Sequence, residues 1–215
     1  MTRTVGIALA ILVGMFAAAC QPSSFQYVAN SDDGAYLILP SDWHRFESDE
    51  VLEYQFSDLA PRVQEVLREQ MWVAAFDANP QPALEHVFNF GDLKEYPVGF
   101  MQVRQLAGEE RYQLSLSDLR NQFIEFDTIA QSAPERLEVL REDYPTTPEG
   151  LRGVNLRFSV AVEEGLVTYD QTAYVDADTS TVYLLTVGCT ADCFEAHSSQ
   201  IDRIIQSWTI KEPNS

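Results

Sequence analysis

Lysine is almost missing from this sequence of 215 residues. Lys94 and Lys211 are its two lysines, so nearly all of the 14 basic residues are arginine, against 33 acidic ones. The formal charge is −19 at pH 7. A nucleic-acid-binding protein needs a cationic surface to displace the counterions of the phosphates, so this imbalance excludes a nucleic-acid partner. It favours a carboxylate-rich surface that could attract a basic protein or a cation.

The compositional biases of non-globular chains are also absent. Hydrophobic residues make up 46% of the chain and charged residues 22%, with 10 glycines and 10 prolines. These proportions exclude a disordered tail, a collagen and a coiled coil. The length suffices for one domain with its own core. We therefore expect a single folded domain once any targeting segment is removed.

Long apolar runs are scarce, and the one that is present stands at the start of the chain. Arg3 precedes an apolar stretch over residues 5–16, and the polar residues 21–24 follow soon after. A membrane-spanning helix needs ~20 apolar residues, so this run is too short to be a permanent span. A cation, a short apolar run and small residues are typical of a signal peptide, which we predict over residues 1–19.

The predicted signal peptide ends at Ala17-Ala18-Ala19-Cys20, which resembles the lipobox of bacterial lipoproteins. The resemblance implies that Cys20 becomes the mature amino terminus and carries a diacylglyceryl group. Acyl chains contribute ~0.8 kcal/mol per buried methylene, enough to hold a protein on a membrane without a basic patch. The alternative is ordinary secretory cleavage after Ala19, which would release a soluble protein with a free thiol. Removal of the leader takes away Arg3 and no acid, so the formal charge becomes −20.

The first half of the mature chain reads as a hairpin followed by mixed elements. After a short tether over residues 20–24, residues 25–40 contain two extended runs around a turn at residues 30–34. Pro40 ends the second run because proline donates no ladder hydrogen bond. The patterns further predict a helix over 60–70 and strands over 71–78, 84–90 and 98–107.

The second half is predicted to contain a helix, a meander and a final helix. Ser117 and Asp118 cap a predicted helix over 119–126, with apolar residues on one face. Alternating residues over 153–188 predict three antiparallel strands. Helical spacing predicts a last helix over 192–208, closing in extended form. These elements indicate an α+β fold with an antiparallel sheet of about six or seven strands and about three helices.

Two ends of this layout resemble the PsbP-like superfamily. One is an early strand that ends in proline and is followed by tryptophan, Tyr36-Leu37-Ile38-Leu39-Pro40-Ser41-Asp42-Trp43. The other is the late strand over 182–186, the helix over 194–206 and the closing pair Ser207-Trp208. The resemblance implies an α/β/α sandwich around a central antiparallel sheet in a single domain over 25–215. It also implies a binding or assembly role without catalysis, and it makes Trp43 and Trp208 markers that should be buried.

Cys189 and Cys193 stand where the last meander strand should pass into the final helix. If Cys20 is acylated, two thiols remain in an exported chain whose compartment favours oxidation. We predict a Cys189–Cys193 disulfide, which would close a short loop. The alternative adds His197, four residues further along the helix, to form a three-ligand metal site. No fourth ligand is visible in the sequence, so we predict no metal and treat His197 as a packing residue.

Oxygen side chains alternate at Asp176, Asp178 and Ser180, as at the start of a calcium loop. Such a loop needs glycine at its sixth position and glutamate at its twelfth, where this chain has Thr181 and Val187. The segment therefore favours a polar hairpin turn.

Motifs for catalysis are missing from the sequence. His44, His86 and His197 lie in separate predicted elements, and there is no Gly-x-Ser-x-Gly elbow or Gly-rich phosphate loop. Trp43, Trp72 and Trp208 could line a groove, but burial is the more common fate of tryptophan. We therefore predict no catalytic residue and no cofactor.

The predicted function is that of a membrane-anchored lipoprotein on the extracytoplasmic face of a bacterial cell envelope. Its domain would be a non-catalytic binding or assembly module whose acidic surface contacts a protein partner, in particular a basic one. The alternative is a carrier or sensor for a small apolar ligand or a cation, which requires a cavity or a carboxylate cluster.

Overall fold

The computed structural model describes residues 24–89, 94–163 and 165–211. The predicted signal peptide over 1–19, the anchor residue Cys20 and tether residues 21–23 lie outside the described residues. Within the described ranges, none of the helices has the length and hydropathy that crossing a bilayer requires.

The described residues form ten strands and eight α-helices, with a 3-10 turn at Pro134–Arg136. The strands are β1 (Phe25–Asn30), β2 (Ala35–Pro40), β3 (His44–Phe46), β4 (Met71–Asp77), β5 (Val98–Gln105), β6 (Leu137–Asp143), β7 (Arg152–Val162), β8 (Gly165–Val175), β9 (Thr181–Thr190) and β10 (Thr209–Ile210). The helices are α1 (Ser48–Phe56), α2 (Pro61–Gln70), α3 (Leu84–Phe88), α4 (Glu110–Gln113), α5 (Leu116–Arg120), α6 (Phe126–Ser132), α7 (Ala191–Ala196) and α8 (Ser198–Ser207).

A seven-stranded sheet in the order β3-β4-β5-β9-β8-β7-β6 runs through the centre, and all its neighbouring strands are antiparallel. A second, three-stranded sheet in the order β1-β2-β10 contains the opening hairpin. The predicted α+β class and the antiparallel central sheet are therefore confirmed. The prediction of about three helices is wrong: the described residues hold more helices because two predicted ones are broken and others were missed.

Each face of the central sheet has its own hydrophobic core. On one face, β7 and β8 contribute Leu156, Phe158 and Tyr169, which pack with Leu119 of α5 and Phe126 of α6. Helices α1 and α3 complete this layer. On the other face, alternate residues of β9 pack against the hairpin and helix α8, and the buried members include Leu37, Leu39, Phe76, Leu185, Ile201 and Ile204. The period-two alternation of a strand divides its side chains between the two cores.

The opening hairpin is the element that the sequence predicted most closely. Residues Phe25 to Asn30 pair with Ala35 to Pro40, and Gly34 supplies the positive φ of 69° that the turn requires. Trp43 follows the hairpin and is 4% exposed, as predicted. Trp208 is half-buried, with its ring centroid 5.7 Å from that of Tyr174.

The strand predicted over 84–90 is wrong, because residues 84–88 form helix α3. Leu84, Val87 and Phe88 are spaced three and four apart, which also fits a helix, and all three pack into the first core. Asp77 accepts a hydrogen bond from the amide of Ala83 and fixes the point where the helix starts. Short apolar runs leave this ambiguity, and tertiary contacts resolve it.

The predicted helix over 119–126 is also wrong, since it divides into α5 and α6 at Asn121. The Asn121 side chain donates to the carbonyl of Ser117 and accepts from the amide of Asp127, so it closes one helix and opens the next. The cap of α5 is Ser115, in a capping box with Asp118, and not Ser117.

The final predicted helix over 192–208 is interrupted at His197, which ends α7 and precedes α8. Helix α1 was not predicted, although its Val51 and Leu52 are buried.

Candidate functional site

Cys189 and Cys193 form a disulfide between the end of β9 and helix α7. The hydroxyl of Thr190 accepts a hydrogen bond from the Cys193 amide and caps the helix between them. His197 is half-buried, and its Nδ1 lies 2.9 Å from the carbonyl oxygen of Cys193. The two sulfur atoms are bonded to each other, so the three-ligand metal site considered from the sequence is not formed. Among the described residues no group of three potential metal ligands occurs.

The segment from Asp176 to Ser180 is the polar turn that the sequence favoured over a calcium loop. Asp176 accepts hydrogen bonds from both the amide and the hydroxyl of Ser180. Thr179 has a φ of 53° in this turn. The Asp176 carboxylate therefore stabilises the turn between β8 and β9.

A pair that the sequence did not predict joins Asp77 and His86. The Asp77 carboxylate is fully buried and accepts from Nδ1 of His86 over 2.8 Å. The same carboxylate accepts from the amides of Asn79 and Ala83. The pair fastens the proline-containing loop between β4 and α3. The signal in the sequence was an aspartate at the end of a strand, nine residues before a histidine.

This Asp–His pair has half of the geometry that catalytic histidines use, since a carboxylate can orient an imidazole as a general base. It borders a cleft of about 190 Å³ together with Asn79, Lys94 and Tyr96. In the part of the chain that is described, no serine, threonine or cysteine is hydrogen-bonded to the His86 ring. The Asp77 carboxylate orients the His86 imidazole, and the hydrogen bonds of the pair account for the loop conformation.

Asp170 is the centre of an ion-pair cluster on the face of the sheet covered by α7 and α8. Its Oδ2 accepts from Arg157 over 2.7 Å and from Arg141 over 3.1 Å. Arg157 continues to Asp202 of α8 over 2.6 Å and lies over the ring of Phe194. Burial raises the pKa of Asp170, and the two guanidinium groups oppose that rise. The cluster ties α7 and α8 to the sheet.

A cleft with a volume of about 440 Å³ lies between the opening hairpin and helix α8. Its apolar lining comes from Phe25, Tyr27, Ile38, Pro40 and Ile204. Among the described residues that line it, Asp42 is the one acid and Arg203 the one base, so their charges balance. We call it the hairpin cleft.

A second cleft, of about 420 Å³, lies near the turn end of the hairpin. Four carboxylates and one guanidinium line it, those of Asp32, Asp33, Asp49, Glu69 and Arg68. We call it the acidic cleft. Its net charge is negative, so it would attract a cationic group.

The three tryptophans do not share a groove. Trp43 belongs to the second core, Trp72 lines the acidic cleft, and Trp208 lines a smaller cleft of about 280 Å³ with Tyr174. Burial also affects nearby tyrosines: it raises the pKa of Tyr183 to about 12, together with the charges of Asp176 and Asp33.

Comparison with known proteins identifies the fold. No protein-family model matches the sequence, and no curated protein is significantly similar to it. Among solved structures, cyanobacterial PsbP (CyanoP) from Synechocystis sp. PCC 6803 superposes with a TM-score of 0.54 at 10% identity, covering 90% of this chain and 96% of that one.

A second similar structure is LpqN of Mycobacterium tuberculosis, which is described as involved in cell envelope biogenesis. Its TM-score is 0.50 at 17% identity, over 87% of this chain and 91% of that one. Identities this low show the fold alone. The sandwich around an antiparallel sheet, with the hairpin before it and the helix after it, is the fold that this chain shares with these two structures.

Proposed function

We propose that the protein is a lipoprotein of a bacterial cell envelope, anchored through Cys20 on the extracytoplasmic face of the membrane. Residues 25–215 would form a single domain that acts by non-catalytic binding or assembly. The charged start, the short apolar run and the small residues before Cys20 support the anchor. The anchor overcomes the repulsion between anionic headgroups and a chain of formal charge −20.

The observation that carries the binding role is the pair of open clefts on the described surface. One is apolar and nearly neutral, and the other is lined mainly by carboxylates. Both volumes are in the range of sites that hold small ligands or anchor side chains of a partner. Two groups that could take part in chemistry have structural partners instead: the Asp77–His86 pair holds a loop, and the Cys189–Cys193 disulfide joins β9 to α7.

The partner that the charge favours is a basic protein segment seated at the acidic cleft. Attraction between exposed charges extends over a Debye length of ~10 Å at 0.1 M salt and is screened beyond it. Such a contact accelerates association and loses strength as the salt concentration rises.

Crosslinking in intact envelopes, followed by capture of the lipoprotein, tests this proposal. A triple charge-reversal variant changes three exposed acids of the acidic cleft, Asp32→Lys, Asp49→Lys and Glu69→Lys. A matched control reverses three exposed acids outside the cleft, Glu135→Lys, Glu163→Lys and Glu195→Lys. Both variants have the same net charge.

The proposal requires a protein that is captured when crosslinking is carried out at low salt and is not captured when it is carried out at high salt. The cleft variant should also fail to capture this protein, whereas the control variant should retain it. Equal capture at low and high salt would mean an apolar contact. If both variants lose the captured protein equally, the overall charge of the chain accounts for the loss, and the acidic cleft is not the binding surface.

The hairpin cleft favours a second candidate function, a carrier or sensor for a small apolar ligand. Its 440 Å³ and its lining by Phe25, Tyr27 and Ile38 suit such a ligand. Isothermal titration of the purified chain with short fatty acids tests this function, and saturable binding at one site per chain is the expected result.

A further inference from the structure

We infer that the outer face of the β1–β2 hairpin, together with the hairpin cleft, rests on the lipid bilayer that holds the Cys20 anchor. This inference depends on the proposed lipid anchor and adds the orientation of the domain. The hairpin cleft would then be filled by phospholipid, at the level where the headgroups meet the acyl chains.

The two strands of the hairpin contribute no charged side chain to its outer face, and Nζ of Lys211, beside β10, lies over the ring of Tyr36. Strand register places Phe25 opposite Pro40, Tyr27 opposite Ile38 and Ala29 opposite Tyr36. None of these three outward pairs is charged. The inward residues between them, such as Val28 and Leu37, belong to the second core. Antiparallel sheets with one solvated face normally carry polar residues there.

Two of the three aromatic side chains of this face, those of Phe25 and Tyr27, are exposed, whereas Tyr36 is half-buried. Phe25 is 47% exposed and Tyr27 is 72% exposed. Tyrosine combines an apolar ring with a polar hydroxyl and is enriched at the level of lipid headgroups. The two side chains therefore have the chemistry of a membrane interface.

The balance of charge at this face also suits contact with a bilayer. The chain as a whole has 33 acidic and 14 basic residues. The hairpin cleft has one of each, Asp42 and Arg203. Nε of Arg203 donates to the carbonyl of Ser199, which fixes the side chain at the rim of the cleft. Guanidinium groups bind phosphate oxygens well, so Arg203 is placed to contact a phospholipid headgroup.

The length of the tether decides which side of the domain faces the membrane. From Cys20 to Phe25 the chain spans at most ~17 Å, because an extended residue covers ~3.5 Å. A domain of about 190 residues is roughly 40 Å across. The far side of the domain therefore cannot turn towards the bilayer, whereas Phe25 at the start of β1 stays close to it. The acidic cleft, near the turn end of the hairpin, remains accessible to a partner.

Nitroxide labels on single introduced cysteines test the orientation in the full-length lipoprotein. Cys189 and Cys193 are bonded to each other, and acylation would block Cys20, so an introduced cysteine is the one reactive thiol. The two reporter variants are Tyr27→Cys on β1 and Gln200→Cys on the α8 wall of the cleft. The matched control is Tyr112→Cys, since Tyr112 is 91% exposed and lies on α4, outside the cleft.

Each labelled protein is reconstituted into phosphatidylcholine vesicles, and collisions with dissolved oxygen and with an aqueous nickel chelate are measured by spin resonance. The reference is the same label in the secreted Cys20→Ser form in buffer. At positions 27 and 200 the ratio of oxygen to nickel collisions should rise several-fold on the vesicles. At position 112 the ratio should not change.

Aqueous collision ratios at all three positions, in a protein that floats with the vesicles, would overturn the inference and leave the anchor intact. A protein that does not float and takes up label at Cys20 would show that the anchor itself fails. Protection of position 27 in the Cys20→Ser form without vesicles would assign the face to a second copy of the chain or to the domain itself, and would also overturn the inference.

Discussion

Nε of Arg157 donates to Oδ2 of Asp170 over 2.7 Å, and the Asp170 side chain is completely buried. Arg141 is the second cation on the same oxygen, and Oδ1 of Asp170 has no hydrogen-bond partner among the described residues. Burial disfavours the ionised carboxylate, which is why the pKa of Asp170 is raised even with two guanidinium groups nearby. Arg157 thus joins β7 to β8 through Asp170 and to α8 through Asp202, and this arrangement removes the Asp170 charge from water.

We expect Arg157→Met to lower the free energy of unfolding by ~3 kcal/mol at pH 7, because it leaves a buried carboxylate with one partner. For an acid whose folded pKa is raised, stability is present below the unfolded pKa and is lost as pH rises through the folded pKa. The deficit should therefore shrink as pH falls from 7 to 4. Urea unfolding at both pH values measures it. An equal deficit at both would contradict the role of the Asp170 charge.

The stability that the capping box of α5 contributes should depend on pH in the opposite direction to that of the Asp170 cluster. The pKa of Asp118 is lowered, first by the hydrogen bond from the Ser115 hydroxyl and then by that from the Ser115 amide. The ionised Asp118 carboxylate therefore contributes to stability above its unfolded pKa of ~4, and this contribution is lost as pH falls below that value.

Ser115→Ala should therefore cost ~1 kcal/mol at pH 6 and less at pH 3. Chemical denaturation at the two pH values checks this expectation. The control is Ser132→Ala, whose hydroxyl donates only to the carbonyl of Thr128 at an exposed helix end. A deficit that is the same at both pH values would mean that the Asp118 carboxylate plays no part.

Gly34 and Gly108 provide a matched pair for the hairpin, since both have positive φ, 69° and 55°. A Cβ on Gly34 would lie 1.8 Å from the carbonyl oxygen of Lys211, whereas a Cβ on Gly108 would meet nothing within 4 Å. Gly108→Ala should cost ~1 kcal/mol from backbone strain alone.

Gly34→Ala should cost about 3 kcal/mol, because overpacking adds to the same backbone strain. It should also release the Lys211 amide, which donates to the Gly34 carbonyl over 2.9 Å. Thermal unfolding and amide exchange at Lys211 measure the two effects. Equal costs for the two variants would rule out the steric contact.

The Cys189–Cys193 disulfide should contribute ~2 kcal/mol, the loop-closure entropy of a five-residue loop. We expect Cys189→Ala with Cys193→Ala to lose that amount in urea unfolding. Alkylation of native protein without reductant should leave both cysteines unlabelled. Labelling of both thiols, or stoichiometric zinc by elemental analysis, would favour the metal site that includes His197.

The lipid anchor predicts that Cys20→Ser releases the protein from membranes into the soluble extracytoplasmic fraction. Fractionation of cells and immunoblotting measure the release, with Cys189→Ala and Cys193→Ala together as the control that stays bound. Mass spectrometry should find a diacylglyceryl group on Cys20. An unmodified mature amino terminus at Cys20 would favour the secreted alternative.

The sequence by itself determined the elements whose signals are local. Turn residues and strand alternation predicted the hairpin over Phe25–Pro40 and the meander of β7, β8 and β9, because each signal depends on neighbouring side chains. The two thiols that remain besides Cys20, together with the export signal before them, predicted the Cys189–Cys193 disulfide. The excess of acids predicted, from composition alone, that nucleic acid is not a partner.

Tertiary structure decided the features that depend on residues distant in the chain. Leu84, Val87 and Phe88 suit a strand or a helix, and the packing of Phe88 against Phe100 selects the helix. The predicted helix ends at Asn121, where the Asn121 side chain accepts a hydrogen bond from the amide of Asp127. The Asp77–His86 pair, the Asp170 cluster and the apolar outer pairs of the hairpin beside α8 arise from strand register and chain reversal. One-dimensional periodicity does not encode which strands become neighbours, so these sites became visible only in three dimensions.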